Sequence, residues 1–210
     1  YRSGVGAGAG DDNDNHYTLT GDSQCVPSGG SGNTETYTCT FPVYFYAEPT
    51  DAGSTYEAQN WACEVTPSDS GGAGTANTDT IEMDTLLSLG VSTSISFGLV
   101  SVGQNSIGDI ISTVSNTGNI AIDFRLSGGA LTCSGRGSVA VGSQEYSLSS
   151  FAYNSGTDLS TSPADVNATL PKPDSVASSI SDETYWQVSI PTGSEGSCTG
   201  TTTFTVISGL

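Results

Sequence analysis

Positive charge is almost missing from this sequence. Arg2, Arg125, Arg136 and Lys172 stand against 22 Asp and Glu, for a net charge of −18. A surface of that sign repels a phosphate backbone and offers no basic stripe from which counterions are released, so nucleic acid is excluded as a partner. An anionic membrane surface is excluded on the same ground. Histidine occurs once, at His16, in an acidic segment with no nucleophile placed beside it, and a Ser–His–Asp device needs a rigidly held base. No pair of acids stands out as the facing carboxylates of a glycosidase. None of the cysteines is spaced as CxxC, so zinc-ribbon and thioredoxin-type motifs are absent. No apolar run is long enough to span a bilayer, and no stretch keeps a 3.6-residue apolar period beyond two turns. The expectation is a protein that is not an enzyme and has no membrane-spanning segment.

What the sequence does have is Ser, Thr, Gly and Asn in short extended runs punctuated by turn residues, with only 12% of residues charged. The hydrophobic fraction of 35%, supplemented by 27 Gly, supports thin two-layer cores. A chain of 210 residues suits two sandwiches of about 100 residues each. The predicted fold is all-β: two immunoglobulin-like antiparallel β-sandwich domains, at 16–84 and 85–210, after a flexible segment at 1–15.

In the first domain the strands read YTLTG (17–21), TYTCTFPVYFYAE (36–48), WACEVTPSD (61–69) and TANTDTIEMD (75–84). A period of two puts Tyr37, Cys39, Phe41, Val43 and Phe45 on one face, with Pro42 and Tyr44 on the other, and Tyr46 continues that outer row. By the same count Trp61, Cys63 and Val65 share a face. In the second domain the strands read 91–100, 109–116, 119–128, 138–142, 144–153, 183–191 and 198–208, with a longer Pro-containing connection over 154–182.

Cysteine content in a chain that starts at Tyr1 without Met reads as an exported product of an oxidising compartment, extracellular or on the cell surface. Paired antiparallel strands join residues whose numbers sum to a constant. Cys25 and Cys39 are symmetric about position 32 in a Gly-rich loop, and Cys39 and Cys63 about Asp51. The more compliant loop favours Cys25–Cys39, which leaves Cys63 as a buried thiol beside Trp61 or a link to another subunit. The rival pair Cys39–Cys63 mimics the immunoglobulin disulfide and tryptophan. Cys133 and Cys198 then pair with each other.

Hard oxygen ligands cluster at Asp11, Asp12 and Asp14, with Asn13 and Asn15, and again at Glu48, Asp51 and Glu57, which makes calcium the one cofactor considered. The first cluster lacks the Gly and distant Glu of an EF-hand. Asp69 and Asp79 are able to join either. Outward aromatics at Tyr44, Tyr46 and Trp186 suit a surface glycan or burial against a partner. Val5, Ala7 and Ala9 alternate with Gly, a pattern that fits a donor strand for the open sheet edge of a neighbouring subunit. Asn167-Ala168-Thr169 is an N-x-Ser/Thr sequon.

Ser96-Phe97-Gly98 through Gly103, followed by Asn116-Thr117-Gly118-Asn119, resembles bacterial and archaeal surface modules that read FG, spaced Gly, NTGN. Those modules have an immunoglobulin-like fold. Tyr46–Ser54 (YAEPTDAGS), Asn60-Trp61 and Gln144–Ser147 (QEYS) are similar to stretches of uncharacterised secreted proteins of uncultivated prokaryotes, which place a β-domain upstream of such a module. The likeness covers roughly residues 40–205. It implies the fold and export, and carries over no catalytic residue. Where those proteins read Asp-Pro-Thr-Asp this chain has Glu48 first, which weakens a metal site there. The functional expectation is a structural subunit of an extracellular filament or cell-surface layer, a homopolymer of copies of itself joined by strand exchange. An adhesin or carbohydrate-binding module is the alternative.

Overall fold

The computed structural model describes residues 1–12, 14–18, 25–32, 34–40, 42–175 and 180–209. The chain divides into two units, the first Tyr1–Leu86 and the second almost everything from Leu87 onward. Among the described residues every ladder is antiparallel and the one helical element is a 3-10 turn at Val141–Ser143.

The first unit is made of two-stranded ribbons. Strands β1 (Cys25–Ser31) and β2 (Thr34–Cys39) pair with Cys25 opposite Cys39 and a bulge between Pro27 and Gly29. Then follow β3 (Trp61–Val65), β4 (Ser68–Asp69), β5 (Gly72–Ala73) and β6 (Asn77–Ile81). β4 pairs with β5, and β3 with β6, with Trp61 opposite Ile81 and Cys63 opposite Asp79. The expected long strand stops at Cys39. Pro42 has no N–H for a ladder, and the chain turns at Phe45-Tyr46 instead. The two-face pattern expected over 37–45 is thereby lost: Tyr37, Val43 and Phe45 are exposed, Pro42 and Tyr44 are exposed as well, and Tyr46, expected outward, is fully buried. On β3 the period of two also fails. Trp61 and Ala62 are both buried, while Cys63 and Val65 are exposed. The buried side chains of this unit among the described residues are few, and nearly half are polar: Tyr46, Ala47, Pro49, Trp61 and Ala62, together with Arg2, His16, Glu48 and Thr50.

The second unit contains β7 (Leu89–Val91), β8 (Ile110–Asn116), β9 (Ile122–Gly128), β10 (Leu131–Cys133), β11 (Ser138–Val139), β12 (Gln144–Ser147), β13 (Thr157–Asp158), β14 (Ala164–Asp165), β15 (Ser181–Val188), β16 (Cys198–Thr199) and β17 (Thr202–Ser208). They form sheets in the orders β13-β12-β15-β8-β7, β14-β9-β17 and β11-β10-β16. Alternation is clear on β8, where Ser112, Val114 and Asn116 are buried and Ile111 and Thr113 exposed. Val114, Tyr146 and Trp186 from the five-stranded sheet meet Ile122, Phe124 and Leu126 from β9 in one apolar cluster with Leu159 and Leu170. The predicted strand over 91–100 is not formed beyond Val91. Gly98 turns the backbone at φ 66°, so Ile95, Phe97 and Val100 pack on the interior without a ladder, and Leu99 is left exposed.

Residues 1–12, 14 and 15, expected to be flexible, are instead folded against the first unit. Tyr1 and Ala62 exchange backbone hydrogen bonds, Tyr1 N to Ala62 O at 2.9 Å and Ala62 N to Tyr1 O at 2.7 Å. Arg2 bridges Trp61 in antiparallel sense, and Ser3 N donates to Asn60 O at 2.8 Å. Composition alone suggested too little to bury here. Backbone pairing and one buried guanidinium supply what apolar area does not.

Candidate functional site

Arg2 is the centre of the best-defined polar network in the first unit. Its Nε donates to Glu48 Oε2 at 2.6 Å, its Nη1 donates to Gln59 Oε1, and its guanidinium carbon lies 3.7 Å from the centroid of the Tyr56 ring. Both partners of the ion pair are about nine-tenths buried. Trp61 Nε1 donates to Glu48 O at 2.8 Å, and Glu48 N donates to Asp14 O at 2.8 Å, so the segment 46–50 is held from both sides. Tyr17, Tyr44, Tyr46 and Trp61 form a contiguous aromatic group with centroid separations of 5.2–5.9 Å. Burial pushes the Tyr17 phenol up to about 12.

His16, although it stands in an acidic segment, is buried. Its ring stacks on Tyr1, and its nitrogens lie 3.3 Å from Ala7 O and 3.4 Å from Asp11 Oδ1, so both face structural partners.

The acidic residues proposed as calcium ligands are spread over separate tasks. Asp11 faces His16, with hydrogen bonding from Thr18 as the main cause holding its carboxyl below the usual range. Asp12 Oδ1 accepts from Asp14 N at 2.9 Å. Glu48 is committed to Arg2. Asp51 accepts from the Thr85 hydroxyl at 2.7 Å and its N–H at 2.9 Å, and these donors lower its carboxyl. Glu57 accepts from Gly53 N at 2.8 Å, Asp69 from Gly71 N at 2.7 Å, and Asp79 from Thr80 N at 2.8 Å. Asn13 lies outside the described residues. Among those described, no three His, Cys, Asp or Glu side chains converge as a metal site would require.

The rings proposed for glycan contact do not form a platform either. Tyr46 and Trp186 are fully buried, and Tyr44 stacks on Tyr46 at 5.2 Å. Sequence patterning placed Tyr44 and Tyr46 outward because it assumed an uninterrupted strand across Pro42, and Trp186 on β15 belongs to the core cluster of the second unit.

In the second unit a cleft of about 1360 Å³ runs beside β17, walled by residues such as Phe97, Leu131, Trp186, Val188, Ile190 and Phe204. The one carboxylate in its lining, Glu195, is paired with Arg136 at 2.9 Å. Acid–base work on a glycosidic bond needs two facing carboxylates, which this lining does not supply. Glu145 on β12 is buried and accepts the N–H groups of Asn154, at 2.9 Å and 3.1 Å, and of Gly156, at 3.2 Å, fixing a turn in which Asn154 has φ 73°. Glu145→Ala leaves those donors without their acceptor and is expected to cost about 1–3 kcal/mol, read as a shifted denaturant midpoint, with Glu145→Gln in between.

Two disulfides, Cys25–Cys39 and Cys133–Cys198, are present, and Cys63 is an exposed free thiol. The candidate surface is therefore the first unit itself. β1, β2, β3 and β6 lie in two-stranded ribbons that expose Val26, Tyr37, Val65 and Ile81 at 45–70% of their full area. Sequence reading missed this because it paired Cys63's strand with the wrong neighbour. It missed Arg2 as well, although a cation in a segment otherwise poor in partners, within so acidic a chain, was a signal. No family model, curated protein or solved structure matches the chain.

Proposed function

We propose that this chain is a structural subunit of an extracellular filament or cell-surface layer, made of immunoglobulin-like β-domains and joined to copies of itself through strand edges of the first unit. One observation carries the reading: the first unit is built from two-stranded ribbons with large apolar side chains exposed on them. An isolated two-stranded ribbon is marginal in water, and an unpaired edge is a template for another chain. Disulfides at Cys25–Cys39 and Cys133–Cys198 favour an oxidising location, and no helix among the described residues is long and apolar enough to cross a membrane. The N-terminal segment suits the donor role, since Arg2 already pairs with Trp61 on β3 of its own unit and a swapped copy makes the same contacts in trans.

Sedimentation velocity over a range of concentrations is expected to show association, and Val26→Lys with Ile81→Lys is expected to reduce it by placing charge on both ribbons. Cys63 supplies an independent reading, because a maleimide reaches it in dispersed chains and loses access when β3 is covered. A chain that stays monomeric at every concentration, with Cys63 equally reactive throughout, overturns the proposal.

A further inference from the structure

The sequon at Asn167-Ala168-Thr169 is the one N-x-Ser/Thr site in the sequence, and the fold treats it unusually. The segment from Ala164 runs antiparallel along β9, with Ala164 opposite Leu126, Asp165 opposite Arg125 and Leu170 opposite Ile122. Five steps from Asp165 to Leu170 therefore face three steps from Arg125 to Ile122, so this edge carries two residues more than its partner. The surplus is absorbed at Asn167 and Thr169, whose φ values are 59° and 52°. A left-handed backbone is tolerable for Asn, but for a β-branched Thr it is an outlier of the kind that accumulates at functional positions.

The intervening residues are fixed. Val166 N donates to Phe124 O at 3.1 Å, Ala168 N to Asp123 Oδ1 at 3.0 Å and Leu170 N to Ile122 O at 2.8 Å. Val166, Ala168 and Leu170 pack on the core cluster, and Asn167 and Thr169 are exposed between them. The result is a bulge on an edge strand, anchored at alternate residues, that holds the acceptor amide and the hydroxyl two positions later out in solvent.

We propose that Asn167 is a site of N-linked glycosylation, with a lipid-diphosphate-linked oligosaccharide as the donor. Asn167 Nδ2 forms a bond to the anomeric carbon of the sugar, and the bond from that carbon to the diphosphate oxygen breaks. The amide gives up one proton to a base of the transferase, and the lipid diphosphate leaves with the bonding electrons. The hydroxyl of Thr169 is the recognition element of the sequon. A glycan here covers the β14 edge of the β14-β9-β17 sheet, and so removes an edge at which unwanted chains would pair.

The test is peptide mass spectrometry of the full chain secreted from cells whose oligosaccharyltransferase uses N-x-Ser/Thr, with a reference sequon appended after the last residue. The expected result is a glycan mass on the peptide carrying Asn167, lost in N167Q and T169A and kept in T169S. Circular dichroism of the secreted N167Q chain controls for folding, and if N167Q is not secreted the contrast between T169A and T169S decides. A bare Asn167 in chains whose reference sequon is occupied, or a glycan mass persisting on that peptide in N167Q, overturns the proposal.

Discussion

Arg2→Ala is expected to lower the stability of the first unit by about 3–5 kcal/mol, the cost of stranding one partner of a buried ion pair. Glu48 is nine-tenths enclosed and its Oε2 takes the guanidinium at 2.6 Å, so the variant leaves a carboxylate in a poorly solvated place. The loss does not stop at the pair. The same guanidinium covers Tyr56 and reaches Gln59, and the Arg2 backbone bridges Trp61 while its N–H donates to Asn15 O at 2.8 Å. A domain is stable by about 5–15 kcal/mol, so the effect is a large part of what this unit has. Because each unit holds one tryptophan, Trp61 and Trp186, a Trp186→Phe background reports the first unit alone by fluorescence during denaturation. Hydrogen exchange at Ala62, whose N–H donates to Tyr1 O, is expected to accelerate in Arg2→Ala. Glu48→Gln is expected to behave similarly, whereas Arg2→Met combined with Glu48→Leu is expected to recover much of the loss, since an apolar pair carries no desolvation penalty. An unshifted midpoint with Ala62 still protected would show that the pair is incidental.

Antiparallel, all-strand architecture was legible because it depends on local signals. Turn residues at Asn116–Asn119 and the strand read over 109–116 act within a few residues of each other, and the structure forms a strand at Ile110–Asn116 followed by a bend. The Cys25–Cys39 bond was legible for a related reason, since the loop between them is short and Gly-rich and the constant sum holds from Cys25 opposite Cys39 to Pro27 opposite Tyr37, before the bulge shifts the register. Long-range choices were not. Cys63 was placed beside Cys39 because their midpoint is a turn, yet β3 closes on β6 through a nearer turn-rich loop and leaves the thiol exposed opposite Asp79. Tyr46 was placed outward by a period that ends at Pro42. Arg2 was invisible because its partners Glu48 and Gln59 are 46 and 57 residues away, and no periodic pattern encodes such a pairing. The acids fared as poorly: Glu48, Asp51 and Glu57 are close in sequence, but each is turned to a different donor.

Removing the Cys133–Cys198 disulfide by paired Ser substitution is expected to destabilise the second unit by about 4 kcal/mol, and removing Cys25–Cys39 is expected to leave that unit untouched. The bonds close loops of 65 and 14 residues in sequence separation. Loop-closure entropy then assigns about 4 kcal/mol to the first and about 3 kcal/mol to the second if each acts on a cooperative unit. Cooperativity separates them further. Cys133 is buried in a cluster with Val139 and Val188, on which Leu131, Ile190 and Cys198 pack, and β10 is hydrogen-bonded to β16 with Cys133 directly opposite Cys198. Without the bond, the unfolded ensemble of the second unit gains the freedom of the long loop, so the penalty falls on global stability. Cys25–Cys39 instead staples a ribbon whose side chains beyond Cys25 are exposed throughout β1. Its loss is expected to release β1 and β2 locally, with faster exchange at their amides and no change in the Trp186 transition. Denaturant melts of the two double-Ser chains, followed at Trp186, test both statements in one experiment. Equal shifts for the two chains would mean that the units unfold together, and that the ribbon belongs to the same cooperative structure as β10 and β16.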